Sequence, residues 1–268
     1  MVNVIKANGI AEPFSEDKLR ASMTRIGVSP TQQDKVISNL QSTLHENIQT
    51  SEIFEQVTGS LQEQSHLVKL RYSLKQAIMA LGPTGYPFED FVSEILKSKG
   101  YLTQVRSILT GKCVSHEIDV IAEKEGTEKL MIEAKYHNAP GIHTDVHVSL
   151  YTKARFDDLK EKYQFDRAWL FTNTRITSDA LAFALCVNMG VVSWSYPQNE
   201  SLRDLAEKER LYPVTILSSL SQGQKQILLD NHTVLVKQIL DNRDCLDLLV
   251  TQEGKKGQIV EEAKTFLG

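Results

Sequence analysis

Two stretches of the chain alternate apolar and charged residues with a period of two, at 116–121 (HEIDVI) and 130–136 (LMIEAKY). Alternation over about 4–8 residues, with β-branched types among them, predicts strands. The polar segment 122–128 between them carries Gly126, which suits a hairpin turn. Side chains two apart on a strand share a face. Glu117 and Asp119 are therefore expected on one side, and Glu133 with Lys135 likewise, while Ile118, Ile132 and Ala134 face a core. Antiparallel pairing then gathers two or three carboxylates and one ammonium into a single patch. Such a patch suits a divalent cation better than it suits mere solubility.

The same reading extends along the chain. Residues 2–6 and 10–14 are short extended pieces around the turn-forming pair Asn8-Gly9. Ser15 stands at an N-cap before Glu16 and Asp17, and Leu19, Met23 and Ile26 recur at helical spacing up to Gly27. A second helix opens at Ser29-Pro30 with Val36, Ile37, Leu40 and Leu44 inward. A third opens at Thr50 or Ser51 with Ile53, Val57 and Leu61 inward, and a fourth covers 65–81 through Leu67, Leu70, Leu74 and Ile78. Gly82-Pro83-Thr84-Gly85 is the clearest linker. Beyond it come a helix at 88–96, a strand at 101–105 and the two alternating strands. A helix over 143–163, with Leu150, Ala154, Phe156 and Leu159 apolar, precedes a strand at 167–172. A helix over 180–189, capped by residues 177–179, and a strand at 191–194 complete this part. That order predicts an α/β fold, a mixed sheet with helices on both faces. From 211 onward the pattern is helical, at 224–229, 234–240, 246–250 and 258–266, with a small basic turn at Lys255, Lys256 and Gly257.

Composition narrows the function classes. At 268 residues the chain exceeds common single-domain size. We expect three regions, 1–82, 85–210 and a small helical C-terminal region at 211–268. A net charge of −4 gives no global basic field, so a nucleic-acid partner must be met by a local patch. Cys113, Cys186 and Cys245 form no disulfide framework and no CxxC zinc signature, which suits a reducing compartment. No signal core is present at the N-terminus and no run approaches about 18 apolar residues, so we expect no membrane association and a cytoplasmic location. No P-loop and no GxSxG elbow occurs. Cys186 sits among Phe183, Ala184, Leu185 and Val187 and reads as core, as do Trp169 and Trp194.

Cys113, His116, His143 and His147 imitate a zinc spacing, but Cys113 and His116 lie three apart on an extended segment and so face opposite ways. His116 is expected to support Asp119 from behind. His137, Asn138 and His143 read as solvated loop residues or phosphate contacts. Lys153 and Arg155 read as an exposed helix face that either meets a DNA backbone or only solvent.

Three resemblances follow from these residues. The segment 4–19 (VIKANGIAEPFSEDKL), with Thr50–Ile53 (TSEI) and Arg71-Tyr72 further on, looks like an ATP-cone domain covering most of 1–82. That resemblance implies binding of an adenine nucleotide, ATP or dATP, as a regulatory ligand, with Lys6 and Lys18 on its phosphates. Lysine is a compact charge suited to phosphate, and Lys18 lies in the first turn of a helix. Ala7 stands where that family carries a second basic residue. The region from Gly85-Tyr86-Pro87-Phe88-Glu89 through Gly100-Tyr101 and 116–119 to Glu133-Ala134-Lys135 resembles the Mrr-type branch of the PD-(D/E)XK nucleases. It implies Asp119 and Glu133 as ligands of Mg²⁺ or Mn²⁺. Lys135 would orient or deprotonate the attacking water, and Glu89 would be an accessory acidic residue. Glu117 is not required by that pattern. The C-terminal helices resemble a degenerate helix-hairpin-helix unit whose turn, 230–233 (DNHT), lacks the usual glycine. An oligomerisation or packing tail is the alternative there, which leaves a homo-oligomer open.

Together these imply a metal-dependent endonuclease acting on DNA and governed by adenine nucleotide. The competing expectation is a non-catalytic, nucleotide-responsive regulatory or DNA-binding protein that retains the nuclease fold. An intact Asp119, Glu133 and Lys135 argues against it.

Overall fold

The computed structural model describes residues 2–6, 9–25, 28–62, 73–139 and 141–267. It resolves into two compact units, Met1–Lys75 and Gln76–Gly268. Among the described residues no helix is long and apolar enough to cross a membrane.

In the first unit β1 (Asn3–Ile5) pairs antiparallel with β2 (Ala11–Pro13). Gly9 has φ +78°, the left-handed region that a glycine adopts without strain. Helix α1 (Glu16–Arg25) starts where the Ser15 hydroxyl accepts the Lys18 amide at 3.3 Å. Helix α2 (Pro30–Gln41) starts where the Gln32 side chain reaches back to the Ser29 amide at 3.1 Å. A two-residue strand, β3 (Ile48–Gln49), adds to β1 in parallel and leads into α3 (Thr50–Gln62). Two residues leave no periodic signature, which is why the sequence pattern gives no hint of β3. The apolar stripes meet in one core of Val4, Leu19, Met23, Val36, Ile37, Leu40, Ile48, Ile53 and Val57. Ala7, Asn8, Ile26, Gly27, the Leu61 side chain and most of the expected fourth helix, with Leu67, Leu70 and Arg71-Tyr72, lie outside the described residues. Helix α4 (Leu74–Met79) falls within the span expected for the fourth helix and straddles the boundary between the units at Lys75 and Gln76.

The second unit is built on a five-stranded mixed sheet. Its strands are β4 (Leu102–Thr110), β5 (Ser115–Lys124), β6 (Glu128–Lys135), β8 (Arg167–Thr172) and β10 (Gly190–Val192). They lie in the order β10-β8-β6-β5-β4. The β4–β5 and β5–β6 pairs are antiparallel, and β6–β8 and β8–β10 are parallel. A separate parallel pair joins β7 (His143–Thr144) to β9 (Arg175–Ile176). Helix α5 (Tyr86–Ser98) buries Phe88, Phe91, Val92, Ile95 and Leu96. Each such side chain contributes about 1.5–3 kcal/mol by leaving water. The ring of Phe88 lies 5.7 Å from that of Tyr136, which places α5 over the Ile132–Ala134–Tyr136 face. On the other face α6 (Val146–Tyr163) and α7 (Ser178–Cys186) close a core of Ile121, Met131, Leu159, Ala168, Leu170 and Ala184.

After α8 (Leu202–Lys208) the C-terminal region is helical, with a 3₁₀ turn (Val214–Ile216), α9 (Gln222–Asp230), α10 (Val236–Asp241), a second 3₁₀ turn (Arg243–Leu248) and α11 (Glu253–Leu267). The fold class is the one the pattern predicts.

Several details differ from the sequence reading. The strand expected at 101–105 runs on to Thr110 because it pairs with β5 along its length. The helix expected from His143 starts at Val146, capped by Asp145, whose carboxylate accepts the His147 amide at 3.0 Å. Cys186 is exposed, not core, since α7 buries only the narrow stripe of Ala180 and Ala184. Lys255, Lys256 and Gly257 lie within α11, where the Lys256 ammonium pairs with Asp247 and Glu253 at 2.8 Å, so they form no basic turn.

Candidate nuclease centre

Strand β6 carries Glu133 and Lys135 to its end, with buried Ala134 between them. The parallel register with β8 sets Glu133 beside Leu170 and Lys135 beside Thr172. Strand β5 parts from β6 just here, the Val120–Ile132 pair being the last rung between them. In the gap the Asp119 carboxylate accepts the Ala134 amide at 2.7 Å, doing the work of the missing ladder acceptor. Ile118 and Ile121 are three apart and would face opposite sides of a regular strand, yet they share one apolar cluster. The simple alternation expected across Glu117–Ile121 therefore breaks at Asp119, because β5 bends where its partner leaves.

Two arginines hold the acidic side chains. From α6 the Arg155 guanidinium donates to Glu133 through Nη1, with its side chain only 7% exposed. The exposed-face reading of Arg155 is thus corrected, while Lys153 does sit nearer the surface, paired to Asp157. The buried stripe of α6 is Ser149, Thr152, Arg155 and Leu159, so of the apolar set expected Leu159 is buried while Leu150, Ala154 and Phe156 are not. These positions are spaced 3, 3 and 4, a helical face that the sequence displays but that its polarity disguises. Ser149 and Arg155 can be buried there because each has an acceptor, Ala180 O at 3.1 Å and Glu133. From the opposite face α5 brings Glu89 and Asp90, both buried. Arg106 of β4 donates to Glu89 Oε2 at 3.2 Å and to Asp90 Oδ1 at 2.7 Å. Arg106 has φ +52° and stands opposite Asp119, between the Val105–Val120 and Ser107–Ile118 pairs. No signal in the sequence marks it, since its backbone conformation exists only in the bent strand pair.

Burial pushes the Glu89 carboxyl up to about 7, and the Asp119 charge adds to the shift while Arg106 opposes it. Burial also pushes Glu133 up to about 7, again reinforced by Asp119 and opposed by Arg155 and Lys135. Asp119 is itself raised by burial, against the pull of the Ala134 amide and of Arg155. The three carboxylates therefore share a field that the arginines do not fully neutralise. Among the described residues Lys135 enters no ion pair, so the cross-strand salt bridge that would give it a merely structural role does not form. Glu117 is exposed.

This donor set suits a hard cation. One oxygen of Asp119 is taken by the Ala134 amide and one of Glu133 by Arg155, leaving the second oxygen of each available among the described residues. No group of three His, Cys, Asp or Glu side chains that could hold a metal occurs among the described residues. Mg²⁺ is commonly held by one or two carboxylates with water and substrate phosphate filling the rest, whereas zinc needs a fuller set. The zinc-like quartet is dispersed, because His116 pairs with Asp158 at 2.8 Å, on α6, and does not back Asp119. His137 is neither a solvated loop residue nor a free cation. Burial lowers its pKa, its amide donates to Asn173 and its ring meets Thr144 at 3.0 Å. Asn138 and His143 are exposed.

In the first unit Lys6 and Lys18 converge on one group. The Glu12 carboxylate lies 2.5 Å from Lys6 Nζ and 3.7 Å from Lys18 Nζ. The Lys6 hydrogen bond, with smaller help from Lys18, lowers the Glu12 pKa.

Comparison with known proteins matches three family models to the chain: ATP cone domain at 2–77, restriction endonuclease (the catalytic domain of Mrr type) at 82–197, and AF1548-like, C-terminal, at 212–267. An uncharacterized protein of Archaeoglobus fulgidus is 43% identical over 126 residues, spanning 47% of this chain and 71% of that protein. The crystal structure of a protein of unknown function, AF1548, superposes with TM-score 0.61 at 33% identity, over 69% of this chain and 99% of its own. A repair endonuclease from Pyrococcus abyssi overlaps 38% of this chain and 41% of its own at 19% identity and TM-score 0.30, a likeness too slight to carry an argument.

Proposed function

The chain belongs to the AF1548-like family, with an ATP cone and a restriction endonuclease domain, and from that premise we propose that it is a Mg²⁺- or Mn²⁺-dependent endodeoxyribonuclease regulated by adenine nucleotide. The observation that carries this reading is the meeting of the half-buried, mutually repelling carboxylates Asp119 and Glu133 with Lys135, which enters no ion pair among the described residues, where β5 and β6 part.

Hydrolysis joins a water oxygen to phosphorus and breaks one phosphorus–ester oxygen bond, so a proton leaves the water and the departing oxygen gains one. Asp119 and Glu133 would hold a divalent cation, which would supply neutralisation of the charge that builds on the phosphate. The Ala134 amide fixes the Asp119 carboxylate, and Arg155 fixes Glu133. Lys135 Nζ orients the attacking water and offsets the negative charge of the transition state. Glu89, held by Arg106 and raised in part by the Asp119 charge, is the accessory acidic residue. In the cone unit, Lys6 and Lys18 receive the phosphates of ATP or dATP, displacing Glu12 as their counter-ion. DNA is the substrate that the endonuclease domain implies.

The test is incubation of plasmid DNA, and of RNA as comparison, with Mg²⁺ or Mn²⁺, with and without ATP or dATP. Asp119→Ala is expected to lower DNA cleavage by roughly a thousandfold or more, as loss of a metal-site carboxylate does. Equal cleavage by wild type and variant, or none by either, would sink the nuclease reading.

A further inference from the structure

The C-terminal region touches the candidate centre through His232, just after α9. This residue has φ +59°, in the left-handed region, within the 230–233 turn that lacks the glycine of the resembled hairpin. Its Nδ1 lies 3.0 Å from Asp90 Oδ2 and 3.4 Å from Arg106 Nη2. One ring nitrogen cannot donate to a carboxylate and accept from a guanidinium at once. The shorter contact, to the anion, makes Nδ1 the protonated atom. Asp90 then takes Arg106 Nη2 at 2.7 Å, and Arg106 Nη1 reaches Glu89 at 3.2 Å. A continuous line of contacts therefore runs His232–Asp90–Arg106–Glu89. Its inner members are well enclosed, with Glu89 and Asp90 side chains each 11% exposed and Arg106 20%, whereas His232 is 70% exposed. Lys237 of α10 makes a second, longer contact to α5, 3.8 Å from Glu94.

Arg106 is also the residue whose backbone is held in the left-handed region inside a strand, opposite Asp119. An L side chain keeps that conformation only where its surroundings over-determine it, and here the two carboxylates of α5 do so. A guanidinium fork grips two neighbouring carboxylates in fixed geometry, which a lysine cannot.

We propose that Arg106 is a positioning residue that sets the Glu89 carboxylate against Asp119, and that the C-terminal region sets Arg106 through the His232–Asp90 contact. The C-terminal helices thus act on the chemistry of the sheet, not only on DNA attachment or packing. This rests on the nuclease reading of Glu89 and Asp119.

The experiment measures single-turnover DNA cleavage by the full chain at fixed Mg²⁺, with rate at saturating DNA separated from half-saturating DNA concentration. His232→Ala and Asp90→Asn are each expected to lower the rate roughly three- to tenfold with DNA half-saturation unchanged, the pattern of a mispositioned group. Arg106→Ala is expected to lose roughly thirtyfold, and Arg106→Lys to recover part of that. Adding His232→Ala to Arg106→Ala should cost nothing more, because the two act in series. Wild-type rates in His232→Ala and Asp90→Asn, or losses that multiply with Arg106→Ala, overturn the proposal. If wild type cleaves no better than Asp119→Ala, the nuclease reading fails separately. The line of contacts is then judged by unfolding midpoints of Glu89→Gln, His232→Ala and the double variant: a non-additive shift supports it, and additive shifts overturn it.

Discussion

The two units hold their charged residues in opposite ways. In the cone unit, Lys6 and Lys18 flank Glu12 at the surface, the Lys18 side chain being 71% exposed. In the nuclease unit, Asp119, Glu133 and Glu89 are enclosed and each leans on a partner from another element, the Ala134 amide, Arg155 or Arg106. The surface triad costs the fold little, since solvent screens it, and it gains little as well. The enclosed carboxylates are costly, and burial accordingly raises the pKa values of Glu89 and Glu133. The difference teaches where a binding function is built in advance. On the proposed function, a phosphate-binding cation pair would wait in water, whereas a site for a divalent cation would hold its negative charge together before the cation arrives.

The sharpest way to break this contrast is to remove the cation from each side. Arg155→Ala leaves Glu133 enclosed without its partner and is expected to destabilise the nuclease unit by about 3–5 kcal/mol. Lys6→Ala, its surface counterpart, is expected to change stability by no more than about 1 kcal/mol. Denaturant unfolding of both variants reads the difference, and similar losses would erase the distinction.

A pH series sharpens it next. Glu89 and Glu133 titrate near 7 in the folded chain but near 4.5 when unfolded, so between those values the folded state binds the extra protons. Stability from these groups is therefore fullest below about pH 4.5 and falls as pH rises from there through 7. Added Mg²⁺ should flatten that fall, and cleavage should rise across the same window as the carboxylates ionise. A metal-free stability that climbs from pH 5 to 8 would contradict the placement of these two groups.

The smallest expected effect concerns nucleotide. Lys6→Ala should weaken ATP binding roughly tenfold and the more exposed Lys18→Ala only a few-fold, in keeping with charge-assisted hydrogen bonds of unequal burial. Calorimetric titration of ATP reads both. Unchanged affinity in either variant removes that lysine from the phosphate site.

Local pattern alone was enough for much of this protein. The period-two runs at β5 and β6, the Ser15 and Ser29-Pro30 helix starts and the continuous apolar run of β8 follow from residues within a few positions of one another. So does the placement of Glu133 and Lys135 on one face of β6. What the pattern misplaced was whatever depends on a distant partner. Arg155 looks like a solvated helix residue until Glu133 is brought against it, and Cys186 looks buried until α7 is seen to offer the sheet only Ala180 and Ala184. Arg106 carries no signal at all, because its left-handed backbone arises only where β4 and β5 bend together. The sequence by itself determined which carboxylates and which lysine lie on the two strands, since strand periodicity is a local property. Only the tertiary structure decided that Asp119 fills the gap between β5 and β6, and that arginines from β4 and α6 hold the acids. Burial and pairing of charge are set by elements far apart in the chain.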